Sequence, residues 1–184
     1  MRVFCVLALM ALPVQAEECF TGKPKQIAFD TGKVWTVIQR HGDDVTYTVP
    51  YAGFQDSVTK THLMLFAKQS RQGARASEVR WSSRLPGMKD MVPGYHFDLK
   101  GMMKSGEGKA LPYRVAGDVT GTEVVAVGAC PYEVRVIALT TYLDEQPLLT
   151  ARYHLSPEMR VVLRSEVVPV ATGVAAVAVV VGLR

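Results

Sequence analysis

The stretch VVAVGACPYEVRVIALTTYLDEQPLLTARYHLSPEMRVVLR, from Val124 to Arg164, decides the fold of this chain. Within it, Tyr132 and Val134 alternate with Glu133 and Arg135, and apolar residues then occupy both sets of positions. Side chains alternate across a strand, so this pattern predicts a strand whose far end is buried on both faces. β-Branched and aromatic residues, which strands favour, dominate the segment.

The end of this stretch predicts a hairpin. The segments 149–155 and 159–165 both alternate, and Ser156-Pro157-Glu158 separates them. Proline presets the φ angle needed in a tight turn, and serine can hydrogen bond its own backbone there. We therefore expect paired strands with Tyr153, Val161 and Leu163 facing inward.

This hairpin carries a resemblance to a group of small secreted bacterial β-domains of unknown function. The matching residues are Tyr153 to Glu158 followed by Val161, Arg164 and Glu166, with Met91-Val92-Pro93-Gly94 and Gly121, Glu123 and Val125 ahead of them. The likeness spans Leu63 to Glu166. It implies an exported β-domain and does not imply an activity.

The remaining segments are typical of further strands. Lys33 to Val49 forms a hairpin pattern around His41-Gly42-Asp43-Asp44, and Ser57 to Lys68 is interpreted as one strand. Leu85 to Met91 suits a single helical turn, and Val167 to Leu183 is predicted to be a closing strand. The fold class is therefore all-β: an antiparallel meander of about ten strands, curled into a barrel or half-barrel.

A curled sheet encloses an interior, and we expect many slender side chains to point into it. The candidates are Val34, Val45, Val125, Val134, Val136, Ala138 and Ala151. Slender side chains leave room for a ligand. In shape the expected architecture is similar to the half-barrels of periplasmic lipoprotein carriers.

The N-terminus predicts export. Met1 to Ala16 has Arg2, an apolar core and a small residue at the end, as a cleaved secretory signal peptide does. The apolar core of the leader is shorter than the ~20 residues that a membrane anchor needs. Residues 17–184 would then form a single β-rich domain in the periplasm. A membrane span over Val167–Leu183 is the alternative to a closing strand, but this run is slightly short, rich in Ala and Val, and broken near its start by Pro169.

Two cysteines, Cys19 and Cys130, remain after the leader is removed. In an oxidising compartment an isolated pair predicts a disulfide. The whole chain carries a formal charge of +4, and the expected mature chain, lacking Arg2, carries +3. This mild charge, without a basic run, excludes nucleic acid as a partner.

The sequence offers little catalytic chemistry. The four histidines, at positions 41, 62, 96 and 154, share no metal-binding spacing, and three of them occupy predicted solvent-side strand positions. No nucleophile elbow, phosphate loop or dinucleotide motif occurs, so no metal and no cofactor is expected. Glu123 and Glu133 could act as a hydrolase pair, but cross-strand ion pairs with arginines are the favoured interpretation.

Methionine provides the functional pointer, because it adapts to varied apolar ligands. The candidate ligand-binding residues are Met88, Met91, Tyr95, Phe97, Met102 and Met103. We therefore expect a non-enzymatic periplasmic domain whose partner is an apolar small molecule or lipid, or an envelope protein. The alternatives are a structural envelope module that uses Val167–Leu183 as an exposed edge strand, and the hydrolase.

Overall fold

A computed structural model describes residues 18–184, and the predicted signal peptide lies outside the described residues. The strands are β1 (Gln26–Phe29), β2 (Val34–His41), β3 (Asp44–Val49), β4 (Ser57–His62), β5 (Phe66–Gln72), β6 (Arg75–Trp81), β7 (His96–Ser105), β8 (Leu111–Val127), β9 (Cys130–Leu143), β10 (Gln146–Ser156), β11 (Val161–Pro169) and β12 (Ala176–Leu183). A short 3₁₀ helix, Met88–Asp90, lies between β6 and β7.

The strands form a closed antiparallel barrel in chain order. Each strand pairs with its neighbours in the sequence, and β12 pairs with β1 to close the circle. The predicted all-β meander is confirmed, with twelve strands in the described residues. The predicted closing role of the C-terminal segment is also confirmed for β12. β12 pairs with β11 through residues 176–179 and with β1 through residues 180–183, so each neighbour covers one half of the strand.

The sequence prediction of one strand over residues 57–68 is wrong, because β4 and β5 are separated by a tight turn. Leu63 and Met64 adopt φ values of 54° and 58°, which belong to the left-handed region. Such turns normally use glycine or asparagine, so leucine and methionine gave no turn signal. The turn is tolerated because both side chains are buried in the core.

The two longest strands are β8 and β9, and the Val124–Arg164 stretch contains the end of β8 and the whole of β9. β8 has 17 residues and β9 has 14, with a bulge in β8 between Val119 and Gly121. Ile137 and Leu139 of β9 belong to the core, together with Val119 and Ala151 of the neighbouring strands.

Some of the predicted inward residues face outward. Val45, Val134 and Ala151 belong to the core cluster, and Val125 packs against it, as expected. Val34 is exposed, Ala138 is half-buried opposite Arg152, and Val136 is buried opposite His154. The alternation changes phase along β9, because Val134 and Ile137, three positions apart, both belong to the core, and the bulge of β8 lies opposite this point.

One end of the barrel, which we call the closed end, is filled by the protein's own side chains. It comprises the turns β2–β3, β4–β5 and β10–β11 and the segment Ser82–Tyr95 between β6 and β7. Leu63, Met91 and Met159 are fully buried there. An aromatic row, in which Phe66 packs edge-on against Phe97 and Trp81, continues inward from this end. The closed end is therefore part of the hydrophobic core.

Two adjacent aspartates anchor the closed end. The carboxylate of Asp43 accepts hydrogen bonds from Arg160 (2.7 Å) and from the backbone N–H of Met88 (3.1 Å). Asp44 accepts hydrogen bonds from Lys68 (2.7 Å) and His62 (2.8 Å). The sequence places both aspartates in a turn, where the side chains connect elements that are distant in the chain.

The predicted disulfide is present. Cys19 and Cys130 are bonded, with their Cα atoms 5.4 Å apart and 111 positions of sequence between them. The bond ties the segment that precedes β1 to the start of β9. The hydroxyl of Tyr132 donates to the carbonyl of Phe20 (3.1 Å), so the same segment is also held by a hydrogen bond.

Replacing both Cys19 and Cys130 by serine should lower the free energy of unfolding by roughly 3–5 kcal/mol, because the open chain gains conformational entropy when unfolded. Urea denaturation of the oxidised wild type and the double variant measures the difference. The reduced wild type is the matched control and should resemble the variant. Equal stability of all three proteins would contradict the structural role.

Leu163→Ala should destabilise the protein by roughly 2–5 kcal/mol, because Leu163 is fully buried and the change leaves a cavity. Arg164→Ala, at the next position on the exposed face, should change stability by about 0.5 kcal/mol or less. Urea denaturation of both variants provides the test. Similar losses would mean that the register of β11 is misplaced.

The ion pairs of Asp44 should make stability depend on pH. Partial burial acts to raise the pKa of Asp44, but hydrogen bonds from Lys68 and His62 outweigh it, and the pKa lies below its ordinary value. A carboxyl with a lowered folded pKa contributes stability above its unfolded pKa of about 3.9 and loses it as the pH falls through the folded value. Asp44→Asn should therefore be destabilising at pH 7, and the deficit should shrink near pH 2.5.

Urea denaturation at the two pH values measures this deficit. Glu107→Gln, in an exposed turn between β7 and β8, is the control and should stay close to wild type at both. An Asp44→Asn deficit of the same size at pH 7 and pH 2.5 would rule out the ionised carboxylate as its source.

Candidate functional site

The end of the barrel opposite the closed end carries cavities, and we call it the open end. It is formed by the β5–β6, β7–β8 and β9–β10 turns. A cavity of about 360 Å³ lies there, and its lining consists of Met103, Ser105, Gly108, Lys109, Leu111 and Leu143. Small-molecule sites usually occupy about 300–1,000 Å³, so this cavity reaches the lower part of that range.

A second cavity of about 130 Å³ adjoins the first. Its lining includes Val79, Met103, Tyr113, Thr141 and Leu149. Met103 belongs to both linings, so the two cavities meet at this side chain. Together they form an apolar site that begins at the β7–β8 turn and continues along the strands.

Strand register explains why these residues meet. Met103 pairs with Leu111 between β7 and β8, and Tyr113 pairs with Leu143 between β8 and β9. Directly opposite residues of antiparallel strands lie on the same face about 4.5–5.5 Å apart, so the four side chains form a continuous apolar row. Burial raises the pKa of the Tyr113 hydroxyl, which therefore stays neutral at physiological pH.

Polarity within the larger cavity is restricted to its rim. Among the described residues that line it, Lys109 alone carries a charge. Lys109 lies in the turn between β7 and β8 and is exposed. Its ammonium group is therefore on the solvent side of an otherwise apolar wall. An amphipathic molecule with an anionic head would meet both features.

The structure divides the six ligand-binding residues predicted from the sequence. Met91 and Phe97 are buried at the closed end, and Met88 and Tyr95 pack against the same core. Met102 and Met103 are neighbours in β7 and point to opposite faces: Met102 is 43% exposed on the outside, and Met103 lines the open-end cavities. Their ligand-binding role stays a prediction, and Met103 is the member that the structure places in a cavity.

Sequence reasoning missed Leu111, Tyr113, Leu143 and Leu149. Each alternates regularly with more exposed residues, as ordinary core positions do, so the local pattern contained no sign of a cavity. A usable signal was leucine directly beside two turns at the same end of the β8–β9 pair, Leu111 after the β7–β8 turn and Leu143 before the β9–β10 turn, where polar residues would be expected.

A wider groove of about 560 Å³ lies on the outer face of β8–β11. Its floor has small residues, Ala116, Gly117 and Ala138, and charged groups such as Arg152 and Glu166 also line it. At Gly117 a side chain would collide with the backbone carbonyl of Ala138, so glycine is required for the close approach of β8 and β9. The groove is thus a product of strand curvature, and its mixed lining does not select one class of ligand.

A hydrogen-bonded cluster adjoins this groove. Glu123 accepts a hydrogen bond from Arg152 (2.6 Å) with one oxygen and contacts Nε2 of His154 (3.1 Å) with the other. Partial burial opposes ionisation of Glu123, but these hydrogen bonds outweigh it and lower its pKa. Glu133 pairs with Arg135 at 3.3 Å. Both carboxylates pair with arginines, as interpreted, but only the Glu123 pair joins different strands, since Glu133 and Arg135 both belong to β9.

The expectation of exposed histidines is wrong for His62 and His154. His154 is almost fully buried on the outer face of the barrel, where it contacts Glu123. His62 lies between Asp44 and the carbonyl of Pro86, with 16% of its side chain exposed. Alternation correctly indicates the face of a residue, but a neighbouring segment can still cover that face. His96, which contacts Asp118, is exposed as expected.

No group of three or more His, Cys, Asp or Glu side chains in residues 18–184 is arranged to hold a metal ion. Within the same range, no helix has the length and apolar character needed to cross a membrane.

Comparisons with known proteins show the fold. No protein-family model and no curated protein matches the chain. The crystal structure of the hypothetical lipoprotein YmcC from Escherichia coli K12 is similar, with a TM-score of 0.55 and 9% sequence identity, over 91% of this chain and 92% of that chain. At this identity the likeness concerns architecture alone: the two chains share a barrel-like fold along nearly their whole lengths.

Proposed function

We propose that this protein is an exported, non-enzymatic β-barrel domain that binds an apolar or lipid-like ligand at its open end. The observation that carries the proposal is the pair of adjoining apolar cavities that meet at Met103. A barrel of this kind either fills its interior or leaves space for a ligand. Here Leu63, Met91 and Met159 fill the closed end beneath Ser82–Tyr95, and the two apolar cavities lie at the open end. A further cavity of about 240 Å³ lies beside the β8–β9 turn, and its lining includes Glu18 and Arg184.

Export is supported by two independent features. The N-terminal segment has the composition of a cleaved signal peptide, and the disulfide between Cys19 and Cys130 is the kind of bond that persists in oxidising compartments. A periplasmic location fits both.

The ligand class follows from the lining. Met103, Leu111 and Leu143 provide an apolar wall for a hydrocarbon chain, and methionine adapts to chains of different shape. Lys109 at the rim provides a cation for an anionic head group. A fatty acid is therefore the first probe, and a long-chain alcohol tests the contribution of the head.

Met103→Glu should abolish binding of a fluorescent fatty acid or weaken it at least about tenfold, because it introduces a charge into the apolar lining. Met102→Glu is the matched control: the same change at the adjacent residue, on the exposed face, should bind as wild type does. Fluorescence titration of the oxidised proteins measures both, and near-UV circular dichroism confirms that each is folded. Met103→Trp, which fills the cavity without a charge, should also weaken binding.

Two results would remove the proposal: the absence of saturable binding to folded wild type, and equal losses from Met103→Glu and Met102→Glu. If the fatty acid binds more tightly than the alcohol, and Lys109→Ala removes this difference in affinity, Lys109 recognises the anionic head group. Equal binding of acid and alcohol would retain the apolar site and exclude recognition by Lys109.

An envelope protein as partner is the second candidate, favoured by the apolar outer surface near β12. Val177 and Val181 of β12 and Val170 and Val174 of the preceding turn are exposed. Because β11 pairs with residues 176–179 and β1 with residues 180–183, such a partner would meet the exposed valines and the backbone that each half of β12 leaves unpaired. Cross-linking of this protein to an envelope protein in the periplasm tests this candidate. A cross-link that is lost when Val177 is substituted, and kept when Met103 is substituted, would favour it.

A further inference from the structure

Hydroxyl groups line one side of the smaller cavity at the open end. Its lining includes Thr59, Ser70 and Ser77, in addition to the apolar wall around Met103. Among the described residues that line it, Lys68 is the charged one, and its ammonium group is held by the carboxylate of Asp44 at 2.7 Å. This side of the cavity therefore offers polar contacts without a free charge.

Strand register places these hydroxyls in one row, which we call the hydroxyl row. Its members lie directly opposite one another on five adjacent strands, β3 to β7: Tyr47, Thr59, Ser70, Ser77 and Ser105. Opposite residues share a face of the sheet, and Tyr47 belongs to the core, so the row lies on the inner face. Ser105 lines the larger cavity, so the row extends from one cavity to the other.

The hydroxyl row has more hydrogen-bond acceptors than its own protons can satisfy. The hydroxyl of Ser57 lies 3.1 Å from that of Ser70 and 3.3 Å from that of Thr59, and the last two are 3.4 Å apart. Each hydroxyl has one proton and two lone pairs, so three mutual hydrogen bonds use every proton and leave three lone pairs within this group. A ligand that donates hydrogen bonds would fit. A carboxylate or an ester group alone has no proton to donate.

We propose that the hydroxyl row binds the uncharged, hydroxyl-bearing head of a lipid-like ligand, of which a monoacylglycerol is a simple example. This inference rests on the proposed function and names a head group for the same site. The acyl chain lies along Met103 and Leu111 in the larger cavity, and the head donates hydrogen bonds to Thr59 and Ser70 in the smaller one. A charged head would instead stay at Lys109 on the rim.

Calorimetric titration of the full mature, oxidised protein tests this head group with two probes, monodecanoyl glycerol and methyl decanoate. The probes share the acyl chain and the ester group, and the glycerol ester adds two hydroxyl groups that can donate hydrogen bonds. Monodecanoyl glycerol should bind at least about fivefold more tightly, because hydrogen bonds to the hydroxyl row form with this probe alone.

Matched variants locate the head group. Thr59→Val removes a hydroxyl of the row and keeps a side chain of similar shape, so the preference for the glycerol ester should fall below about twofold. Thr48→Val makes the same change on the outer face of β3, between the inward residues Tyr47 and Val49, and should keep the preference. Ser70→Ala is a second variant of the row, and near-UV circular dichroism confirms that each protein is folded.

Saturable binding of both esters to wild type with equal affinity would overturn this inference and retain the proposed lipid site. A preference for the glycerol ester that survives both Thr59→Val and Ser70→Ala would also overturn it, because the head would then lie elsewhere. If neither ester nor the fatty acid binds to folded wild type, the proposed function fails and the inference fails with it. The comparison of the two esters uses wild type, so it decides the question even if a variant does not fold.

Discussion

The pairing of β1 with β12 is the constraint on which the rest of the structure depends. Ile27 is opposite Leu183, and Phe29 is opposite Val180, so the first and last strands complete the circle. Closing the sheet pairs the first strand with the last, which reduces the edge that another chain could pair with. Closure also defines one interior, which is why residues from all parts of the chain share a single core.

Closure gives the barrel two ends, and the turns make those ends different. At the closed end, apolar side chains of Leu63, Met64, Met91 and Met159 fill the interior, and the aspartates of the β2–β3 turn fasten the surrounding segments. At the open end, the turns do not contribute comparable plugs, and space remains beside Met103. This difference directs the proposed ligand site to the open end.

Much of the architecture was predictable from local patterns. Alternation identified most strands, and the Ser156-Pro157 turn fixed the hairpin in which Val161 and Leu163 are buried. The candidate site was less accessible to sequence reasoning: Met88, Met91, Tyr95 and Phe97 do lie near one another, but as part of a filled core. A sequence shows that residues are apolar and cannot show whether their surroundings leave a cavity, since that depends on the side chains packed opposite them.

The sequence by itself determined the antiparallel β class, the closing strand and the disulfide, because each rests on a local period, a terminal apolar segment or a count of cysteines. Tertiary structure alone decided the left-handed turn at Leu63 and Met64, which only core packing stabilises. It also decided the burial of His154, whose contact Glu123 lies 31 positions away in the chain. The physical reason is that alternation assigns a residue to a face, whereas the curvature of the whole barrel determines what covers that face.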